Sequence, residues 1–128
     1  MSGNVSDVDH LAAAVTAVMC DSVDLDRTVA FWTRLLRLHE AHRTDTYVYL
    51  EPMSADGPHL AFQLVSERRS GKNRIHLDIR VSDLAEAEQA IVAAGGSVLD
   101  RVEETGFPPW SVMADPAGNE FCIYVATG

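Results

Sequence analysis

Two stretches of the chain, AVMCDSVDLDRTVAFW at 17–32 and HLDIRVSDLAEAEQAI at 76–91, follow the same plan. Each is a β-like run that passes through an Asp-Leu pair into a helical pattern. The two pairs, Asp24-Leu25 and Asp83-Leu84, stand 59 residues apart. In the first helix Leu25, Val29, Trp32 and Leu36 recur at helical spacing on one face. Asp24 is placed to accept hydrogen bonds from the first backbone N–H groups. In the second, Leu84, Ala87, Ile91 and Ala94 form the stripe, Asp83 caps with Glu86 three residues on, and Gly95-Gly96 ends the helix. Three strand-like segments follow each helix: roughly 39–42, 46–51 and 59–66, then 97–103, 110–114 and 120–125. PMSADGP, GFPP and DPAGN supply turns between them. The chain therefore reads β-α-β-β-β twice. A period this long, present only twice, excludes a solenoid array. Two paired modules lining a cleft are expected instead.

Strand alternation assigns the faces. Leu77, Ile79 and Val81 share one face of the strand after 75, and His76, Asp78 and Arg80 share the other. Phe121, Ile123 and Val125 likewise oppose Glu120, Cys122 and Tyr124. The apolar sets are expected against the helices. Gln63, His76, Asp78, Arg80, Cys122 and Tyr124 are expected to face the cleft.

Size and charge narrow the function. A chain of 128 residues holds one domain with a genuine core. The expected organisation is a disordered start at 1–12 and a single domain at 13–128, with module one at 14–67 and module two at 74–126. A net charge of −9 argues against nucleic acid, whose phosphates need clustered Lys and Arg. The one basic run, ERRSGKNR at 67–74, reads as a solvated linker. LAAAVTAVMC at 11–20 is too short to span a membrane, and the polar, acidic stretch before it lacks the positive charge of a secretion signal. Two cysteines, Cys20 and Cys122, make no CxxC site and a poor disulfide framework, so a cytoplasmic protein is expected.

The paired plan, the helix DLDRTVAFWTRLL, the run KNRIHLDIRVSDL and the hairpin ADPAGNEFCIY together resemble the vicinal oxygen chelate superfamily, which includes glyoxalase I, bleomycin-resistance proteins and extradiol dioxygenases. More narrowly, the chain is similar to the glyoxalase-like domains of actinobacterial type. The resemblance covers residues 14–126 and implies an α+β fold, with two βαβββ modules forming a curved mixed sheet around a cleft. In metal-using members each module gives two ligands, usually His or Glu, from its first and last strands. Carried over at the repeat spacing, those positions are Ala17 and His76, and Gln63 and Cys122.

Ala17 offers no donor, Gln63 only a neutral amide, and Cys122 a soft thiol. The set suits neither Mg²⁺ nor Mn²⁺. No cofactor is therefore expected, and a divalent metal is the alternative. Bland readings stand beside this one. His76 can be an ordinary hydrogen-bonded cleft residue and Cys122 a small core hydrophobe. Trp110, Tyr47, Tyr49 and Tyr124 can line a cavity or pack the sheet. His39 and His42 look solvent-facing. The expected protein binds a small organic molecule through Gln63, His76, Asp78, Arg80, Trp110, Cys122 and Tyr124, without a divalent metal. The alternative is a lyase, isomerase or dioxygenase acting on an oxygen-rich substrate, with His76 and Asp78 as acid and base. A homodimer is expected, because the edges of a short sheet need cover.

Overall fold

The structure, a computed structural model, describes residues 12, 14–68, 70, 71, 73 and 75–126. Apart from Ala12, the segment expected to be disordered lies outside the described residues. Module one comprises β1 (Ala17–Ser22), α1 (Leu25–Leu36), β2 (Glu40–Arg43), β3 (Tyr47–Pro52) and β4 (His59–Leu64). Module two comprises β5 (Leu77–Arg80), α2 (Leu84–Ala93), β6 (Ser97–Val102), β7 (Trp110–Ala114) and β8 (Glu120–Tyr124).

Both helices begin where the capping chemistry dictates. The Asp24 carboxylate accepts from the Arg27 N–H at 3.2 Å, and Asp83 from the Glu86 N–H at 2.9 Å. Each cap satisfies a donor that the helix itself leaves open, a contribution of about 1 kcal/mol. At its far end α2 passes through Gly95 at φ 106°, a left-handed conformation that favours glycine.

Each module folds into its own four-stranded mixed sheet, in the orders β1-β4-β3-β2 and β5-β8-β7-β6. The first strand pairs parallel with the last in both modules, and the remaining pairs are antiparallel. The expected α+β pair of βαβββ modules is what forms, its strands lying in two mixed sheets with no strand pairing between them among the described residues.

What joins the modules is a shared core rather than a ladder. Leu25, Val29, Phe31 and Trp32 of α1 meet Leu60 and Phe62 of β4 and Phe121 and Ile123 of β8 in one buried cluster. The Trp32 ring lies edge-on to Phe31 and Phe121, with centroids 5.3 and 4.9 Å away. Its indole N–H donates to Oδ2 of the buried Asp115 at 2.8 Å. The other oxygen of Asp115 accepts from the Ala117 and Asn119 N–H groups, which closes the DPAGN turn. The Asn119 amide then donates to the Asp21 carbonyl of β1 at 3.0 Å. That turn fastens module two to module one.

Candidate functional site

The polar face of β5 and β8 floors a cavity of about 460 Å³. His76 immediately precedes β5, and Asp78, two residues on, points the same way because side chains alternate along a strand. Asp78 pairs in register with Cys122, and Cys122 with Val112 of β7. Trp110 and Tyr124 form the next pair along the sheet. The Nε2 atom of His76 lies 3.2 Å from Oδ1 of Asp78. One donor atom each from His76, Asp78 and Cys122 falls within 4.8 Å of the others. The imidazole and carboxylate are exposed, whereas Cys122 is 8% exposed. The thiol is therefore the recessed member, with a polar pair at the mouth.

The cavity takes in five residues of the expected set: His76, Asp78, Trp110, Cys122 and Tyr124. Gln63 and Arg80 are not among its lining residues. Arg80 lies exposed at the end of β5, and Gln63 sits on the module-one sheet between Asp21 and Tyr47 in register. The expected apolar faces are found where alternation puts them. Phe121 and Ile123 are in the core, and Leu77 and Ile79 pack against it. Phe107 and Pro108 complete the cavity wall from the β6–β7 loop. Sequence reasoning treated GFPP only as a turn. Its apolar pair after Gly106 was the available signal.

The strand registers also correct one carried-over position. The helix starts Leu25 and Leu84 are 59 residues apart, but the last strands begin at His59 and Glu120, 61 apart. Asp78 pairs with Cys122, and its repeat equivalent Met19 pairs with Ala61. Ala61, not Gln63, thus occupies the place that corresponds to Cys122. The two-residue drift arises in the connections after the helices, which a constant offset ignores.

A larger concavity of about 790 Å³ lies where β1, the 65–76 connection and the DPAGN turn meet. Ala17, Cys20, His76 and Asn119 all border it. Cys20 is half-buried there. Burial, followed by the Asp115 and Asp21 carboxylates, pushes its thiol up to about 12. Neither cysteine is in a disulfide.

The superfamily implies a divalent metal held by both modules. In register, module one contributes Ala17 and Ala61, which have no donor atoms, so the four-ligand set does not fit this chain. A different group remains. His76, Asp78 and Cys122 offer nitrogen, oxygen and sulfur from module two alone, a donor set suited to Zn²⁺ rather than to a hard cation.

Paired βαβββ modules, the second carrying a recessed cavity of mixed polar and aromatic lining, define the class of the protein. Residues 17–124 match the glyoxalase-like domain, and the chain belongs to that family. Solved structures agree on the fold. A glyoxalase/bleomycin resistance protein/dioxygenase family enzyme from Burkholderia phytofirmans PsJN superimposes with a TM-score of 0.75 at 19% identity, over 90% of this chain and 100% of that one. A lactoylglutathione lyase from Agrobacterium tumefaciens gives 0.63 at 18% identity, over 91% and 96%. A mutant of a fosfomycin resistance protein from Listeria monocytogenes, complexed with Mn(II) and a dihydroxypropylphosphonic acid, gives 0.73 at 13% identity, over 91% and 92%. No curated protein matches the sequence.

Proposed function

We propose that the chain is a glyoxalase-like binding protein that holds a small organic molecule in the module-two cavity without a divalent metal. The observation that carries this reading is the cavity itself. At about 460 Å³ it falls in the range of small-molecule sites, with Phe107, Trp110 and Tyr124 as walls and His76 and Asp78 at its mouth. Aromatic walls favour a ligand with a flat apolar body, and the polar pair favours one with a carbonyl or hydroxyl at the end. Trp110 reports on the site directly. Titration with benzylacetone, a flat aromatic ketone, is expected to quench its fluorescence saturably. Trp110→Phe should remove that response while the signal of the buried Trp32 stays constant. A linear, non-saturating response in the native protein counts against the proposal.

A second reading is favoured by the His76–Asp78–Cys122 group. There the protein is a lyase, isomerase or dioxygenase acting on an oxygen-rich substrate, with these three residues holding a soft cation. Such an ion supplies Lewis acidity when bound. The chain's own contribution is to hold the ion at these three residues and to orient the substrate against Trp110 and Tyr124.

A further inference from the structure

The site contains a nucleophile that non-covalent binding leaves unused. Cys122 lies at the floor of the cavity, and an imidazole and a carboxylate each place an atom within 4.8 Å of a donor on the other two residues. The pairing is built by the sheet. His76 and Asp78 share a face of one strand, and Cys122 stands beside Asp78 on its parallel neighbour. The other thiol has no such company. Cys20 lies among carboxylates and is held in its protonated form. The chain thus carries one thiol beside an imidazole in this cavity and one outside it, which gives an internal comparison.

We infer that Cys122 captures soft electrophiles that enter the cavity, specifically flat conjugated carbonyl compounds, by forming a thioether. The inference rests on the proposed binding cavity and names the chemistry of its occupant. His76 takes the thiol proton, and Asp78, 3.2 Å from Nε2, faces the imidazolium so formed. The thiolate Sγ adds to the β-carbon of the ligand and forms the S–C bond. The electrons of the C=C bond move onto the carbonyl oxygen as an enolate. The α-carbon then recovers the proton from His76. The product is a saturated carbonyl thioether, and no oxidant, reductant or leaving group takes part. A thiolate is a soft nucleophile and prefers the polarisable β-carbon. The aromatic walls select conjugated, planar acceptors over small aliphatic ones.

Besides His76 and Asp78, the ionisable groups that face the cavity are Glu120 and Tyr124, both on β8. The β7 residues there, Trp110 and Val112, carry no ionisable group. None of these supplies a cation, so the proton handling falls to His76.

The test is intact-protein mass spectrometry with benzylideneacetone at pH 7, followed by peptide mapping. One adduct is expected, at Cys122 and not at Cys20, forming at least about tenfold faster than with free glutathione at the same pH. His76→Gln should lose that advantage at the same pH. Cys122→Ser should form no adduct, and an unchanged far-UV circular dichroism spectrum and melting temperature show that its fold is intact. Labelling of Cys20 at an equal rate, or a Cys122 rate no greater than that of glutathione, would overturn the inference. Should benzylacetone bind while benzylideneacetone fails to bond, the capture chemistry falls and the binding cavity stands. Should neither bind, both fall together.

Discussion

Asp115 gathers four hydrogen bonds on its carboxylate and ties the DPAGN turn to α1. It is 3% exposed, yet both carboxylate oxygens are occupied: Oδ2 by the Trp32 indole and the Asn119 amide, Oδ1 by two backbone N–H groups. A buried carboxylate is tolerated only when it is satisfied in this way. Removing one donor is therefore expensive even where volume is nearly conserved. Trp32→Phe deletes the indole N–H and part of the aromatic cluster with Phe31 and Phe121. It is expected to destabilise the fold by about 1–3 kcal/mol through the lost donor to Oδ2, which then keeps only the Asn119 amide. Urea denaturation followed by far-UV circular dichroism measures this, and a midpoint within error of the native one contradicts it. From the sequence Trp32 was legible as a core residue, because its helical spacing with Leu25 and Val29 is local. Asp115 looked like any Asp-Pro turn. Its partner is 83 positions away, and no local pattern carries that information.

At the scale of elements, the helices and their caps were readable because the signals lie within a few residues of one another. Strand faces were readable for the same reason. Register was not, because it depends on loop lengths, and these differ between the modules. That is why Ala61 rather than Gln63 corresponds to Cys122. The wall contributed by Phe107 and Pro108 comes from a loop, where periodicity says nothing. The joint between α2 and β6 gives an element-scale prediction. A Cβ on Gly96 would come 2.7 Å from the Ala114 carbonyl oxygen, 2.7 Å from Ile91 Cγ2 and 3.1 Å from a Phe31 ring carbon. One of these contacts is with backbone, which cannot rotate away. Gly96→Ala is expected to cost about 1–3 kcal/mol by overpacking the seam between α2 and α1. A thermal melt showing no loss of stability would mean that the seam is looser than these distances imply.

For the whole molecule, the two modules share a core but not a strand ladder, and each sheet keeps a face of its own. The module-one face carries Met19 and Tyr47, 37% and 38% exposed. Open sheet edges with apolar neighbours favour cover by a second copy. A homodimer is the proposed assembly, and a monomer mass by light scattering at micromolar concentration would remove it. No helix among the described residues is long and apolar enough to cross a membrane. The central claim is that an organic ligand occupies the module-two cavity and that this needs no metal. A thermal-shift titration with benzylacetone, run with and without excess EDTA on the native protein and on Val112→Trp, tests it most directly. A ligand that binds only the folded state raises the melting temperature with concentration. The account predicts the same rise with and without EDTA, and no rise when the new indole of Val112→Trp fills the cavity. A rise that EDTA abolishes and added Zn²⁺ restores, or one that persists in Val112→Trp, would contradict it.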